Sequence, residues 1–213
     1  MTIAIGVLAR APVPGRVKTR LLAAHEAAWV AGLYAAMLRD TLDGLQMVAA
    51  SAYVVLARDD DGLDLLARHV PTPWDLRAGP SAVDEVLATL HDRADVAVLA
   101  GSDAPSFPTE PLVEALEGGL ESEDVVVGPS ESGGLYLIAT RVRETRLLRG
   151  VPLATPAALD VMRVRCKELG LRLRELPRWY QVREPSDVLT LLEEMRKHPD
   201  RAPRTAQFLV TRA

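Results

Sequence analysis

A basic loop that contains a glycine lies near the start of the chain and carries the residues best suited to chemistry. It spans residues 11–21 (APVPGRVKTRL) and follows an apolar run at residues 2–9. Its three cations and its threonine precede a predicted helix, so backbone N–H groups, the helix dipole and Lys18 or Arg20 could converge on phosphate groups. The loop is not a Walker loop, because Val17 stands where the second glycine would be, and no G-x-G-x-x-G follows the strand. A solvated basic turn is the alternative interpretation.

Two further loops contain residues suited to a ligand site. Asp103 comes just after a predicted buried strand, where a carboxylate is suited to hold a divalent cation that bridges phosphate oxygens. The alternative for Asp103 is an N-cap or an Asx-turn. Farther along, the adjacent Gly133 and Gly134 permit a close approach of backbone to ligand or a positive φ. They could equally serve only a tight turn between strands.

Strands and helices alternate along the chain on either side of these loops. Strands are predicted at residues 2–9, 51–57, 95–100, 124–127, 135–139 and 171–176, and helices at residues 25–45, 62–68, 84–91, 110–117, 156–169 and 186–197. The first three strands are continuous apolar runs, typical of strands covered on both faces. This alternation predicts a mostly parallel sheet with helices on both faces, whose ligands bind beyond the carboxyl ends of the strands.

The ends of the chain complete this prediction. We expect one domain over residues 1–213, because no internal repeat, low-complexity tract or linker interrupts the pattern. Ser186 is the predicted N-cap of the helix at residues 186–197. The Pro- and Arg-rich tail from His198 onward is predicted to be loosely packed.

Composition argues against several classes of protein and several kinds of site. The net charge of −4 and the aromatic fraction of 4% argue against a nucleic-acid-binding module. The single cysteine, Cys166, excludes an intrachain disulfide and a cysteine-based structural zinc site. No apolar run is long enough to span a membrane, and residues 1–9 lack the features of a signal peptide, so a cytoplasmic location without a membrane partner is expected.

Taken in order, the motifs resemble the glycosyltransferase-A superfamily, and in particular a bacterial family of small glycosyltransferase-like proteins, the DUF2064 group. The resemblance covers about residues 3–195 and starts from the loop at residues 11–21. The later motifs that carry it are Gly101-Ser102-Asp103 with Pro105, Gly128-Pro129, Gly133-Gly134-Leu135-Tyr136-Leu137-Ile138, Thr155-Pro156, Trp179-Tyr180 and Pro185-Ser186-Asp187-Val188-Leu189. It implies a three-layer α/β/α nucleotide-diphosphosugar-transferase fold, which is Rossmann-like with a mostly parallel sheet. The superfamily also includes small guanylyltransferases.

The resemblance also implies roles for particular residues. Lys18 and Asp103 would be catalytic, and Asp103 would hold Mg²⁺ or Mn²⁺. The nucleotide would contact Ala11, Pro12, Gly15, Arg16, Lys18, Thr19, Arg20, Gly79 and Ser102. The acceptor pocket would be bordered by Gly133, Gly134, Tyr136 and Thr155. The implied partners are a nucleotide or nucleotide sugar and a small-molecule acceptor, without nucleic acid or membrane, and a homodimer is left open.

Some positions depart from the family pattern. Ser132 stands before the double glycine, where an acidic residue is usual, and Gln181-Val182-Arg183 replaces the usual Asp-Val-Asp after the Trp-Tyr pair. Two carboxylates that commonly help to hold the metal are therefore replaced. In a Gly-Asp-Leu-Gly-x-Arg pattern, Gly79 is kept, but the second glycine and the arginine are missing.

These observations predict a nucleotide-dependent transferase. Within that class we favour glycosyl transfer from a nucleotide sugar to a small acceptor with a divalent metal. The alternative enzyme is a guanylyltransferase-like nucleotidyltransferase that acts on a small phosphorylated or hydroxylated acceptor. Sequence separates the two poorly, because both reactions use the same donor half-site. A homologue with weak or no catalysis, which only binds a nucleotide or a protein partner, is an alternative from another class.

Overall fold

The computed structural model describes residues 1–58, 62–79, 82–117, 120 and 122–211. Its centre is a seven-stranded sheet with the strand order β3-β2-β1-β4-β6-β5-β7. The strands are β1 (Ile3–Ala9), β2 (Ala52–Ala57), β3 (Asp75–Ala78), β4 (Val96–Gly101), β5 (Val125–Pro129), β6 (Leu135–Thr140) and β7 (Leu173–Glu175). Strand β6 runs antiparallel to its neighbours β4 and β5, whereas the other described pairings are parallel. The predicted mostly parallel sheet is confirmed.

Helices cover both faces of this sheet. They are α1 (Ala27–Gln46), α2 (Leu63–Ala67), α3 (Val83–His91), α4 (Glu110–Glu117), α5 (Ala158–Glu168), α6 (Pro185–Lys197) and α7 (Pro203–Thr211). Side chains that alternate along β1 enter opposite layers of the core: Ile5 packs in a cluster with Leu42 of α1, and Ala4 in a cluster with Leu90 of α3. The period of two in a strand produces this division. The predicted three-layer α/β/α fold class is therefore confirmed.

Strand β3 and the turn after the basic loop are the elements that the sequence did not reveal. Strand β3 is a short edge strand of mostly exposed residues, so it has neither an apolar run nor an alternating pattern. The loop at residues 11–21 leads into a 3₁₀ turn, Thr19–Ala23, and α1 begins only at Ala27. The helix predicted at residues 25–45 is therefore confirmed as α1, with a 3₁₀ turn between it and the basic loop.

Two predictions for the end of the chain were wrong. Ser186 lies inside α6, and the N-cap is Glu184, which forms a reciprocal capping box with Asp187. Pro185 suits the first turn because it has no N–H to leave unpaired. The tail is not loose over residues 198–211, since α7 packs on α1 with Thr205 and Leu209 buried. Residues 212–213 lie outside the described part, and the single domain stays a prediction.

Asp124 joins the segments that flank β6 and β7. Its Oδ1 accepts a hydrogen bond from Arg141 Nη2 at 2.7 Å, and its Oδ2 accepts hydrogen bonds from Arg172 Nε at 3.0 Å and from the Arg172 backbone N at 2.9 Å. The hydrogen bonds from Arg172, helped by Arg141, outweigh burial and hold the pKa of the Asp124 carboxyl well below its ordinary value. The carboxylate therefore stabilises the fold in its charged form.

We expect Asp124→Asn to lower the free energy of unfolding at pH 7 by about 1–3 kcal/mol, because charge-assisted hydrogen bonds are lost. The pKa is lower in the folded state, so the contribution is complete above the unfolded value of about 3.9 and is lost as the pH falls through the folded value. Urea unfolding at pH 7 and pH 3 should show that the free energy of unfolding declines less for the variant than for the natural chain. A parallel decline of both proteins would contradict this account.

The matched control for Asp124 is Asp160→Asn. Asp160 also pairs with an arginine, Arg163, but its side chain is 77% exposed. We expect the free energy of unfolding to change by no more than about 0.5 kcal/mol, since exposed ion pairs contribute little.

Candidate functional site

A cavity of about 650 Å³ opens at the carboxyl ends of the central strands. Residues at the ends of β1, β2 and β4 form part of its wall, including Arg10, Arg58 and Asp103. Because β6 is antiparallel, its amino end lies at the same edge, and Leu135 lines the cavity. The remaining wall comes from the basic loop and from segments near residues 153 and 183. The cavity thus lies where an α/β sheet binds its ligands.

The charges on this wall are strongly unequal. Within the described part of the chain, its cationic residues are Arg10, Arg16, Lys18, Arg20, Arg58 and Arg183, and its acidic residue is Asp103. This concentration of positive charge contrasts with the net charge of −4 of the whole chain. A concave, cationic surface attracts and retains anions.

Lys18 and Asp103 form an ion pair inside the cavity. Lys18 Nζ contacts Asp103 Oδ1 and donates a second hydrogen bond to Val182 O at 2.8 Å, and the lysine side chain is only 8% exposed. Asp103 Oδ2 lies 3.6 Å from Arg183 Nε. Burial raises the pKa of Asp103, but the charges of Lys18 and Arg183 outweigh burial and keep the pKa below its ordinary value. Asp103 is therefore an ionised carboxylate at neutral pH.

The backbone of the basic loop is bent to direct Lys18 into this pair. Lys18 has φ 47° and ψ 42°, in the left-handed region that non-glycine residues seldom adopt. Such a conformation costs about 1–3 kcal/mol and persists where surrounding contacts hold it, often at functional sites. Gly15 provides a second positive φ, 78°, in the same loop. The strained residue is thus the one whose ammonium group lies in the cavity.

Tyr34 ties the loop after β1 to the loop after β4. Its hydroxyl oxygen accepts a hydrogen bond from the Arg10 backbone N at 2.9 Å and lies 3.0 Å from Ser102 Oγ. Ser102 Oγ in turn lies 3.1 Å from Leu8 O, to which it can donate. Burial raises the pKa of Tyr34 to about 12, so this hydroxyl stays protonated. The loops after β1 and β4 are therefore held at a fixed distance beneath the cavity.

About half of the residues that the sequence predicts for the site are brought together. Those on the cavity wall are Arg16, Lys18, Thr19, Arg20, Ser102, Asp103 and Tyr136. Those that lie outside the described wall are Ala11, Pro12, Gly15, Gly79, Gly133, Gly134 and Thr155. Ala11 packs in the core, and the Thr155 hydroxyl donates a hydrogen bond to Pro152 O. Their predicted ligand contacts stay predictions.

Three of the four predicted glycines outside the wall serve close packing. A Cβ on Gly79 would lie 3.0 Å from Ala57 O, and residues 80–81, which follow it, lie outside the described part. Gly133 has φ +89°, and a Cβ there would lie 2.6 Å from the Pro156 backbone. A Cβ on Gly134 would lie 3.1 Å from Arg183 Nη1. Gly134 therefore leaves the space that the Arg183 guanidinium occupies.

The side chain of Tyr136, predicted to border the acceptor pocket, is largely buried. Its ring packs against Phe107 and so close to Gly128 that a Cβ there would lie 2.4 Å away. Its hydroxyl donates a hydrogen bond to Pro177 O at 3.1 Å. The Tyr136 side chain therefore packs in the core although the residue lies on the cavity wall, and its predicted acceptor contact stays a prediction.

The structure adds cationic residues that the site prediction did not include. Arg10 directly follows β1 and Arg58 directly follows β2. Their position at the end of a strand could have identified them as site residues from the sequence. Arg183 was recognised only as a departure from the family pattern. Its contact with Asp103 joins residues far apart in the chain, which no local pattern reveals.

The described residues do not fit a resident divalent cation. They contain no group of three or more His, Cys, Asp or Glu side chains arranged to hold a metal. Both oxygens of Asp103 face cations, and the nearby positions 181 and 183 carry an amide and a guanidinium. Mg²⁺ and Mn²⁺ prefer several oxygen ligands. The metal predicted at Asp103 therefore stays a prediction without a protein donor set.

Solved structures similar to this chain share its fold. A protein from Desulfovibrio desulfuricans G20, provisionally described as a nucleotide-diphospho-sugar transferase, is 25% identical with a TM-score of 0.85 over 99% of this chain and 95% of that one. A CMP-2-keto-3-deoxy-manno-octonic acid synthetase complexed with CTP is 13% identical, with a TM-score of 0.59 over 93% and 100%. A Mycobacterium tuberculosis H37Rv protein complexed with manganese is 17% identical, with a TM-score of 0.54 over 91% and 99%. The last two likenesses show the fold alone.

Sequence comparison assigns the chain to a family without assigning it an activity. No curated protein matches it significantly. None of the described helices combines the length and the hydropathy that a membrane span requires. The family described as an uncharacterized protein conserved in bacteria (DUF2064) matches residues 41–155, more than half of the 213-residue sequence, and the chain belongs to this family.

Proposed function

We propose that this chain is a nucleotide-dependent transferase that moves a glycosyl group from a nucleotide sugar to a small acceptor. The observation that carries the proposal is the cationic cavity at the carboxyl edge of the sheet. Its volume of about 650 Å³ lies within the range of about 300–1,000 Å³ of small-molecule sites. The likeness to the Desulfovibrio desulfuricans protein supports a nucleotide sugar as the donor.

The two parts of the wall suit the two parts of such a donor. The cations around Lys18 suit a diphosphate, because charge-assisted hydrogen bonds from ammonium and guanidinium groups are strong. The apolar part of the wall suits a base or the carbon face of a sugar and is formed by Val83, Leu99, Leu135, Ile138 and Leu153. Of the residues predicted to bind the nucleotide or the acceptor, this proposal includes only those that line the cavity.

In the proposed reaction an acceptor oxygen attacks C1 of the sugar. The C1–O bond to the diphosphate breaks, and its electron pair stays on the leaving phosphate oxygen. Lys18 and the arginines near it lower the barrier by stabilising the negative charge that develops there. Asp103 is a poor base because its pKa is held low, so the acceptor proton passes to water. We propose Lys18 as a catalytic residue and Asp103 as the residue that positions it.

Nucleotidyl transfer is the second candidate, and the charge balance of the cavity favours it. The described wall carries six cationic side chains and one carboxylate, with Arg20 paired to Glu184, and a triphosphate is a more highly charged ligand for such a wall than the diphosphate of a nucleotide sugar. A nucleoside triphosphate would neutralise this wall more completely. Attack of an acceptor oxygen on the α-phosphorus would then break the bond to the β-phosphate oxygen and release pyrophosphate.

Ligand-induced thermal stabilisation tests the proposal. The full chain is heated with UDP-glucose, GDP-mannose, dTDP-glucose, GTP and CTP, and with the unphosphorylated nucleosides as matched controls. A ligand at about a hundred times its Kd should raise the free energy of unfolding by about 2.7 kcal/mol. At least one nucleotide should stabilise the protein while its nucleoside does not. The absence of a response to every nucleotide would contradict the proposal.

Product analysis then separates the candidate reactions. Mass spectrometry with the stabilising ligand and a mixture of sugar and phosphosugar acceptors should detect either a nucleoside diphosphate or pyrophosphate. The first product supports glycosyl transfer, and the second supports nucleotidyl transfer. Binding without either product would favour the homologue that only binds a nucleotide.

A further inference from the structure

The donor site contains two cations at the place where a metal ion would have to bind. Asp103 is the carboxylate on the described wall, with Lys18 Nζ at its Oδ1 and Arg183 Nε 3.6 Å from its Oδ2. A divalent ion beside this carboxylate would lie next to an ammonium and a guanidinium group and would be repelled by both. The same two groups neutralise Asp103 and leave it little attraction for a third cation.

Both cations are also anchored by groups other than Asp103. Lys18 Nζ donates to Val182 O at 2.8 Å, and the strained backbone of Lys18 directs the side chain inward. Arg183 Nη1 donates to Ala154 O at 2.7 Å, in the space that the missing side chain of Gly134 leaves. The Arg183 backbone N donates to Asp187 Oδ2 at 2.8 Å. The two charges therefore belong to the architecture of the site.

We infer that Lys18 and Arg183 take the place of a divalent metal, so that this chain binds its nucleotide as the metal-free polyphosphate. The inference rests on the proposed function. Burial lowers the pKa of Lys18 and the charge of Asp103 opposes that effect, so Asp103 helps to keep the lysine protonated. Lys18 and Arg183 then together carry the charge of a divalent ion, and their N–H groups add directional hydrogen bonds to phosphate oxygens. The described contacts of Lys18 use two of its three N–H groups, which leaves one for a phosphate.

Calorimetric titration with and without metal tests the inference. GDP, UDP, CDP and dTDP are each titrated into the full chain, once with MgCl₂ and once with EDTA. The Kd of the diphosphate that binds should differ between the two buffers by no more than about threefold, which is a small change in binding free energy. A loss of affinity of about tenfold or more in EDTA would overturn the inference and leave the proposed function intact.

Arg183→Asp is expected to create the metal dependence that the natural chain lacks. It removes one cation and brings a second carboxylate towards Asp103, which makes a site of the kind that Mn²⁺ prefers. Electron paramagnetic resonance of Mn²⁺ should show weak binding to the natural chain and binding at least about tenfold tighter to the variant. Arg196→Asp, an equal charge change at an exposed position of α6, is the matched control and should not bind Mn²⁺ more tightly.

Asp103→Asn provides a second test of the inference if Arg183→Asp does not fold. The weak Mn²⁺ binding of the natural chain should not change in this variant, because Asp103 is already paired with two cations. Mn²⁺ binding to the natural chain that the substitution abolishes would overturn the inference. Failure of every diphosphate to bind the natural chain in both buffers would instead contradict the proposed function, and the inference with it.

Discussion

Replacement of Lys18 by methionine is expected to weaken the binding of a nucleoside diphosphate about tenfold to a hundredfold. The substitution keeps the apolar stem of the side chain but removes the ammonium group that lies in the cavity. A hydrogen bond between charged partners contributes about 1.5–3 kcal/mol, and each 1.4 kcal/mol changes Kd about tenfold. Calorimetric titration in EDTA measures this change without any contribution from metal.

The matched control for Lys18 is Lys197→Met, which removes an exposed ammonium group at the end of α6. Its Kd should stay close to that of the natural chain. Thermal unfolding of both variants without ligand separates lost binding from lost folding, because Asp103 keeps Arg183 as a partner when Lys18 is replaced. Equal affinities for the natural chain and the Lys18 variant would show that the cavity does not use this residue for phosphate.

Replacement of Asp40 by alanine is expected to lower the free energy of unfolding by about 2–3 kcal/mol, the upper range for a lost helix cap and for unpaired buried N–H groups. Asp40 lies on α1 with its side chain buried, and its carboxylate accepts hydrogen bonds from the first turn of α7. The Arg204 N lies 3.2 Å from Oδ1, and the Thr205 N lies 2.7 Å from Oδ2. Burial raises the pKa of Asp40, so desolvation offsets part of this stabilisation.

The measurement for Asp40 is urea unfolding combined with hydrogen exchange across residues 203–211. Exchange should accelerate in α7 before it does in β1 or β4, because the substitution releases the helix and not the sheet. Asp43→Ala is the matched control, since Asp43 also pairs with Arg204 but is partly exposed. We expect it to cost no more than about 0.5 kcal/mol. Equal losses in the two variants would show that the buried cap is not what holds α7.

Helix α7 shows why the sequence-based prediction failed at the end of the chain. Prolines and arginines after residue 198 are typical of a solvated tail, and the sequence shows no partner for them. In the structure Pro203 begins α7, where its missing N–H costs nothing, and Asp40 supplies the cap from a distance of more than 160 residues. A cap of this kind has no local pattern, because its acceptor belongs to another helix.

The features of this protein that depend on local patterns were predictable from the sequence. The apolar runs of β1, β2 and β4 predicted buried strands, and their order with the helices predicted the α/β class. The basic loop at residues 11–21 predicted cationic side chains at the carboxyl edge of the sheet, and Arg16, Lys18 and Arg20 line the cavity there. The sequence predicted these features because hydrophobic periodicity and the position of a loop after a strand are properties of contiguous residues.

The residues that meet in the cavity could be identified only from the folded chain. The antiparallel direction of β6 brings its amino end to the cavity, and Gly134, just before that strand, leaves the space for Arg183. Lys18 meets Asp103 across 85 positions of sequence and Val182 across 164. The apparent loss of a metal carboxylate at position 183 is therefore the gain of a cation beside Asp103. Sequence identifies residue types at each position, but charge compensation depends on distances that folding alone sets.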